Sequence, residues 1–264
     1  MILTYSISDV APYINWPYFY FAWQVKQPEE QARMRKEAEA FLAAHEGRYK
    51  TYAVFLLVNA HADGDNVVVD LADGQHEAVT LPFLRQQQGN PCLCLSDFVH
   101  PQHDRIGLFA TSVDSGLESD FDADPYMKMM AQLLADRLAE ATAERMHEQV
   151  RKHYWGYAPD EQLSMEALHL EHFQGIRPAV GYPSLPDVSL NFLLDQLLQM
   201  KQIGIRLTES GAMRPHASVS GLMIAHPKAH YFSVGHVGED QLHDYAQRRG
   251  LPVELVRKFL AGNL

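Results

Sequence analysis

The chain has 264 residues, 47% hydrophobic and 21% charged, which is the make-up of a soluble globular protein of one large domain or two small ones. A formal charge of −11 and the lack of any Lys/Arg run exclude a nucleic-acid partner, because affinity for a phosphate backbone rests on those residues. The N-terminus, MILTYSISDV, has no secretory pattern, and the longest apolar stretch, YAVFLLVNA, is too short to span a bilayer, so no membrane partner is expected.

In chain order, YINWPYFYFAW (13–23) predicts a turn at Asn15-Trp16-Pro17 leading into a short buried helix. PEEQARMRKEAEAFLAAHE (28–46) predicts a helix opened by Pro and acids. YKTYAVFLLVNA reads as a buried strand, DNVVVDL (65–71) as its hairpin neighbour across HADGD, and RIGLFATSVD as a third strand. Cys92 and Cys94 lie one residue apart, where a disulfide is strained, so reduced thiols in a cytoplasmic protein are expected.

The longest helix is predicted over 125–154, with Met130, Leu133, Leu134, Leu138, Ala141 and Met146 at helical spacing. DEQLSMEALHLEHF (160–173) predicts a shorter helix, and SLNFLLDQLLQMKQIG (189–204) another that ends at Gly204. IRLTES, ASVSGLMIA and AHYFSVGHV read as strands, and EDQLHDYAQRRG and PVELVRKFLAG as closing helices. Strands and helices come in blocks rather than in strict alternation, which points to an α+β fold with a mainly antiparallel sheet. The long strand-poor middle leaves two lobes open.

Two features stand out chemically. Asp136, Glu140, Glu144 and Glu148 repeat at i, i+4 on the long helix. They form either a solvated face answered by Arg137, Arg145, Arg151 and Lys152, the commoner arrangement, or a face turned toward a cationic ligand. Between helices lies GIRPAVGYP (175–183). Pro178 biases Arg177 toward extended geometry, and Gly181 allows positive φ or close backbone approach. Arg177 is therefore either a helix cap or a clamp for a carboxylate. Tyr231 and Phe232 read first as sheet packing. His169, His172, His226 and His230 do not form a zinc motif, ASVSG is not a nucleophile elbow, and no Gly-rich phosphate loop is present, so neither a catalytic nucleophile nor a metal is expected.

ADRLAEATAERMHEQVR, WGYAPDEQL, GIRPAVGYPSLPD, IGIRLTESGAM, ASVSGLMIAHPKAHYFSVG and EDQLHDYAQRRG, together with the upstream YINWPYFYFAW, LRQQ and SDF, resemble the activation domain of cobalamin-dependent methionine synthase over almost the whole chain. The resemblance implies a C-shaped unit over 1–264 with a twisted antiparallel sheet flanked by helices, and a shallow groove for S-adenosylmethionine. It implies that Arg177 holds the methionine carboxylate and that backbone at Ala179, Val180, Gly181 and Tyr182 lines the ligand. Tyr231 and Phe232 would touch it, and Glu140 and Glu171 would stand near the sulfonium and amino groups. Asn15 stands where the family carries Asp, which keeps a hydrogen-bond acceptor but loses its charge. In LPDVS (185–189), Asp187 and Val188 occupy the family's partner interface, with Val188 in place of a histidine.

The implied task is to present S-adenosylmethionine to cob(II)alamin carried by a cobalamin-binding protein or by methionine synthase modules, with an electron from a flavodoxin-like donor. Methionine synthase activity would then arise only together with partner modules, for which 264 residues leave no room here. This chain would supply positioning and charge. The alternative is a binding or regulatory module that kept the fold without the reactivation role.

Overall fold

Two long strands organise the molecule, β2 (Lys50–Asp63) and β5 (Asp104–Val113), paired antiparallel from Thr51↔Val113 to Ala60↔Asp104. The computed structural model describes residues 1–70 and 78–264. With fourteen residues, β2 is long enough to share its other edge between two partners. Strand β1 (Ile2–Ser6) pairs with its first part and β3 (Asn66–Asp70) with its last, across a two-residue connection, Gly64-Asp65. Strand β4 (Val79–Pro82) extends the sheet beyond β3. Arg206–Leu207 (β6) and Met213–Arg214 (β7) form a separate ribbon, and β8 (Ser218–Met223) pairs with β5. Every pairing is antiparallel, and the sheet curls into a half-barrel flanked by helices, the α+β architecture expected.

Both faces of the sheet are covered, which is why β5 is buried from Ile106 to Val113 instead of alternating with solvent. Ala53, Phe55, Phe109, Val219 and Met223 face one core with α1 (Ile7–Val10), α2 (Trp16–Ala22), α3 (Pro28–Ala44) and α5 (Pro125–Gln149). Val54, Val58, Leu108, Ala110 and Leu222 face a second core with α7 (Leu190–Leu198). The short helices α4 (Gly116–Ser119) and α6 (Met165–His169) flank α5 in sequence. α8 (Glu239–Arg249) and α9 (Val253–Phe259) close a third cluster around Leu242, Tyr245 and Val256.

Several predicted boundaries move, for physical reasons. Asp124 caps α5 through the Tyr126 and Met127 amides, and after Gln149 the helix continues to Tyr154 as one π turn. The helix predicted over 160–173 shrinks to α6, because Ser164 caps it and Glu171 leaves it at φ +60°. The 189–204 helix breaks at Gln199 (φ +50°) and resumes as a 3-10 turn, Met200–Ile203. In α2 Phe19 is buried, but Tyr18 and Phe21 are 61% and 81% exposed, so the aromatic block is not a wholly buried helix.

AHYFSVGHV is not a strand. Its amides bond singly to a loop and to the C-terminus, Val234 N–H to the Pro183 carbonyl and Val237 N–H to that of Asn263. β1 and β4 were not predicted, being short and weakly apolar. Leu71, the last residue of the predicted hairpin neighbour, lies outside the described residues. No helix among the described residues is long and apolar enough to cross a membrane.

Candidate functional site

The stiff segment GIRPAVGYP lies along the free edge of β8. Ile176 exchanges both backbone hydrogen bonds with Ile224, the Pro178 carbonyl accepts from Leu222 N–H, and Val180 N–H donates to the Ser220 carbonyl. Pro178 therefore sits where only its carbonyl is needed, as an edge position allows. The approach is so close that a Cβ on Gly221 would stand 2.2 Å from the Pro178 oxygen. Gly181 then takes φ +88°, and its N–H closes onto the Leu185 carbonyl at 2.8 Å.

This edge carries Arg177 inward. The residue is 8% exposed, with its guanidinium 5.6 Å from the Phe109 ring centroid. Its Nη2 donates to Glu144, and its backbone N–H donates to the Tyr231 hydroxyl at 2.9 Å. Burial, the largest single influence, would depress the Arg177 pKa, but the charges of Glu144, Tyr231 and Glu140 and the bond to Glu144 together outweigh it, and the net shift is upward. Burial pushes the Tyr231 phenol up to about 12. Arg177 Nε and Glu144 Oε2 are buried without partners among the described residues.

The acidic face of α5 is not a solvated ladder, for each rung meets a different segment. Asp136 approaches His216 Nδ1 at 3.2 Å, and Glu140 accepts from the Tyr182 hydroxyl at 2.7 Å. Glu144 holds Arg177, and Glu148 accepts from Tyr13 and pairs with Arg145 and Lys152. Arg151, expected to answer these acids, is itself fully buried and instead pairs with the half-buried Glu161, with Nε and Nη2 at 2.8 and 2.6 Å.

Between α5, this edge, α2 and the segment after α6 lies a groove of about 560 Å³, within the usual range for small-molecule sites. Asn15, Glu140, Glu171, Arg177, Ala179, Tyr182, Tyr231 and Phe232 all line it. Asn15 enters at the N-cap of α2, where its side chain makes no capping bond. Burial first, then the charge of Glu144, raises the pKa of Glu171, whose carboxylate accepts no hydrogen bond among the described residues. Tyr231 and Phe232 reach the groove from the non-strand connection, held where Ser184 bonds the Phe232 backbone.

Val180 and Gly181 are not part of the lining, and Val180 packs its side chain against the second core. Asp187 lies in the interior rather than on a docking face. It is 1% exposed, accepts from the Tyr245 hydroxyl at 2.8 Å and has Arg249 Nε at 3.5 Å. Val188 is half-buried beside Gly181.

Tyr13, Arg137, Glu144 and His169 line the groove but were not singled out for it. Glu144 lies one helical turn beyond Glu140, so spacing could have found it. His169, read as a scattered surface histidine, bonds the Tyr13 carbonyl through Nε2 at 3.0 Å, a pairing over 156 residues that spacing does not reveal. Three carboxylates, Glu140, Glu144 and Glu171, face two guanidiniums, Arg137 and Arg177, so the groove favours a ligand with one carboxylate and excess positive charge. Among the described residues no cluster of His, Cys, Asp or Glu could hold a metal ion.

The sequence model of the family described as vitamin B12 dependent methionine synthase, activation domain, matches residues 6–250. Among solved structures, the crystal structure of the MetH reactivation domain bound to AdoHcy matches with a TM-score of 0.92 at 37% identity, covering 100% of this chain and 90% of that one.

Proposed function

The chain belongs to the family of the vitamin B12 dependent methionine synthase activation domain, and on that premise we propose that its groove binds S-adenosylmethionine for the reductive methylation of cob(II)alamin held by another polypeptide. The observation that carries this is the buried Arg177 standing among Glu140, Glu144 and Glu171. S-adenosylmethionine has one carboxylate and two cationic centres, and this charge pattern answers it group for group. The buried, partnerless Arg177 Nε is a polar group of the kind a ligand satisfies. The solved MetH reactivation domain binds AdoHcy, the demethylated form of the same ligand, which supports the reading.

In this function Arg177 receives the ligand carboxylate, and Glu140 and Glu171 face the sulfonium and amino groups. Ala179 and Tyr182 border the ligand from the segment laid along β8, and Tyr231 and Phe232 close the far side. Asn15 offers its side-chain carbonyl to the ammonium, more weakly than a carboxylate would. The corrinoid on the partner supplies the methyl-accepting metal chemistry, and a flavodoxin-like donor supplies the electron. Residues 1–264 act as one cytoplasmic unit that positions the methyl donor.

Calorimetric titration with S-adenosylmethionine tests the first step, and absence of heat from the parent protein overturns it. Capture of a corrinoid protein, followed by recovery of activity from its inert cob(II)alamin form, tests the second. One observation favours the alternative, a module that kept the fold without the reactivation role: the Asn15 side chain makes no hydrogen bond at its helix start. Ligand binding that emerges only in Asn15→Asp would decide for that reading.

A further inference from the structure

We infer that Glu144 is a positioning residue that fixes the plane of Arg177 for a ligand carboxylate, so that the groove discriminates carboxylated from decarboxylated forms of the same nucleoside. The inference rests on the proposed ligand. Arg177 is more than nine-tenths buried, and it enters the groove from an extended segment whose backbone is pinned by β8 and by the Tyr231 hydroxyl. Its guanidinium therefore keeps only side-chain freedom. Of the three acids on the groove, Glu140 is taken by Tyr182, and Glu171 accepts no bond among the described residues. Glu144 alone contacts the guanidinium.

That contact runs through one nitrogen, Nη2, and leaves Nε without a partner. A guanidinium offers five N–H donors in a rigid fork, so anchoring one nitrogen orients the rest while leaving donors for a second carboxylate. Glu144 is itself set by the backbone of α5, whereas Glu171 sits beyond a short helix in a left-handed turn. Without Glu144, no carboxylate among the described residues holds the plane of the buried guanidinium, and its free donors are no longer presented to the ligand carboxylate.

Titration of Glu144→Gln with S-adenosylmethionine and with decarboxylated S-adenosylmethionine separates this role from general support of the groove. The expected result is at least tenfold weaker binding of the carboxylated ligand and less than twofold change for the decarboxylated one. Equal losses for both ligands, or no loss for either, overturn the inference. Because Glu144→Gln leaves Arg177 uncompensated, Arg177→Met and the double variant Glu144→Gln/Arg177→Met complete a cycle. The double variant is expected to bind as Arg177→Met does, whereas a further loss beyond it means that Glu144 touches the ligand directly and sinks the positioning role. Should the parent protein bind neither ligand, the proposed function falls and this inference with it. A parent that binds alongside an unchanged Glu144→Gln removes the inference only.

Discussion

Tyr182 reaches from the turn after the segment along β8 to Glu140 on α5 and donates its hydroxyl at 2.7 Å, joining the two walls of the groove. Burial, with the charge of Glu140, holds this phenol far above the ordinary range, so it remains a donor. The residue is 53% exposed, and a bond that solvent can replace contributes about 1 kcal/mol or less. Tyr182→Phe should therefore lower the thermal midpoint by no more than about 3 °C. A drop several times larger by calorimetry would mean that the bond holds the walls in place.

Arg177→Ala is expected to act twice. Loss of a charge-assisted bond should weaken S-adenosylmethionine binding by about 1.5–3 kcal/mol. The mostly buried Glu144 is left without its counter-ion, which should cost stability of about 3 kcal/mol. Titration and urea unfolding read the two effects separately, and a fully stable variant would argue against the ion pair.

Glu161→Gln tests a pair remote from the ligand. Arg151 is wholly buried, and its guanidinium lies 4.3 Å from the Phe173 ring centroid, two residues after Glu171. Removing its bidentate acceptor should cost about 3 kcal/mol, seen as a midpoint lower by roughly 6–12 °C. A shift under about 2 °C would contradict the buried pair.

Gly221→Ala places a methyl group against the Pro178 carbonyl, backbone against backbone, with no flexible side chain to give way. The segment along β8 must shift, at an expected cost of about 3 kcal/mol. Ligand affinity should fall with it. Parent-like stability and affinity in this variant would show that the segment does not lie where described.

The raised pKa of Glu171 gives a pH dependence with a definite sign. Its ordinary value is 4.5, and the folded value is higher because burial and the neighbouring Glu144 disfavour the charge. Stability from this group is fully present below about 4.5 and is lost as pH rises through the folded pKa. A cationic ligand favours the ionised form, so S-adenosylmethionine affinity should increase with pH over that same interval and release protons on binding. Glu171→Gln should flatten the profile, and an unchanged profile would remove Glu171 from the cation's surroundings.

What the sequence reveals follows the range of the forces involved. The Gly and Pro punctuation of 175–183 marks a stiff segment because it acts within a few residues. Its pairing with β8 joins residues some forty apart, and no local pattern records that. Helical spacing places Glu140 and Glu144 on one face, but the choice of Tyr182 and Arg177 as their partners is made in three dimensions. Apolar spacing in AHYFSVGHV reports burial of Tyr231, Phe232, Val234 and Val237, and burial arises here without a strand ladder. Asp187 looks like a surface acid in a polar motif until Tyr245 and Arg249 arrive from α8.

The backbone bonds that Ile176, Pro178 and Val180 make with β8 set the mechanical character of the site. A segment laced to a sheet does not fluctuate open like a surface loop, because its amide protons are freed only when the sheet edge itself separates. The Ile176 and Val180 amides should therefore exchange with deuterated solvent at the pace of β8. In that respect the groove has a wall with the rigidity of the protein's core.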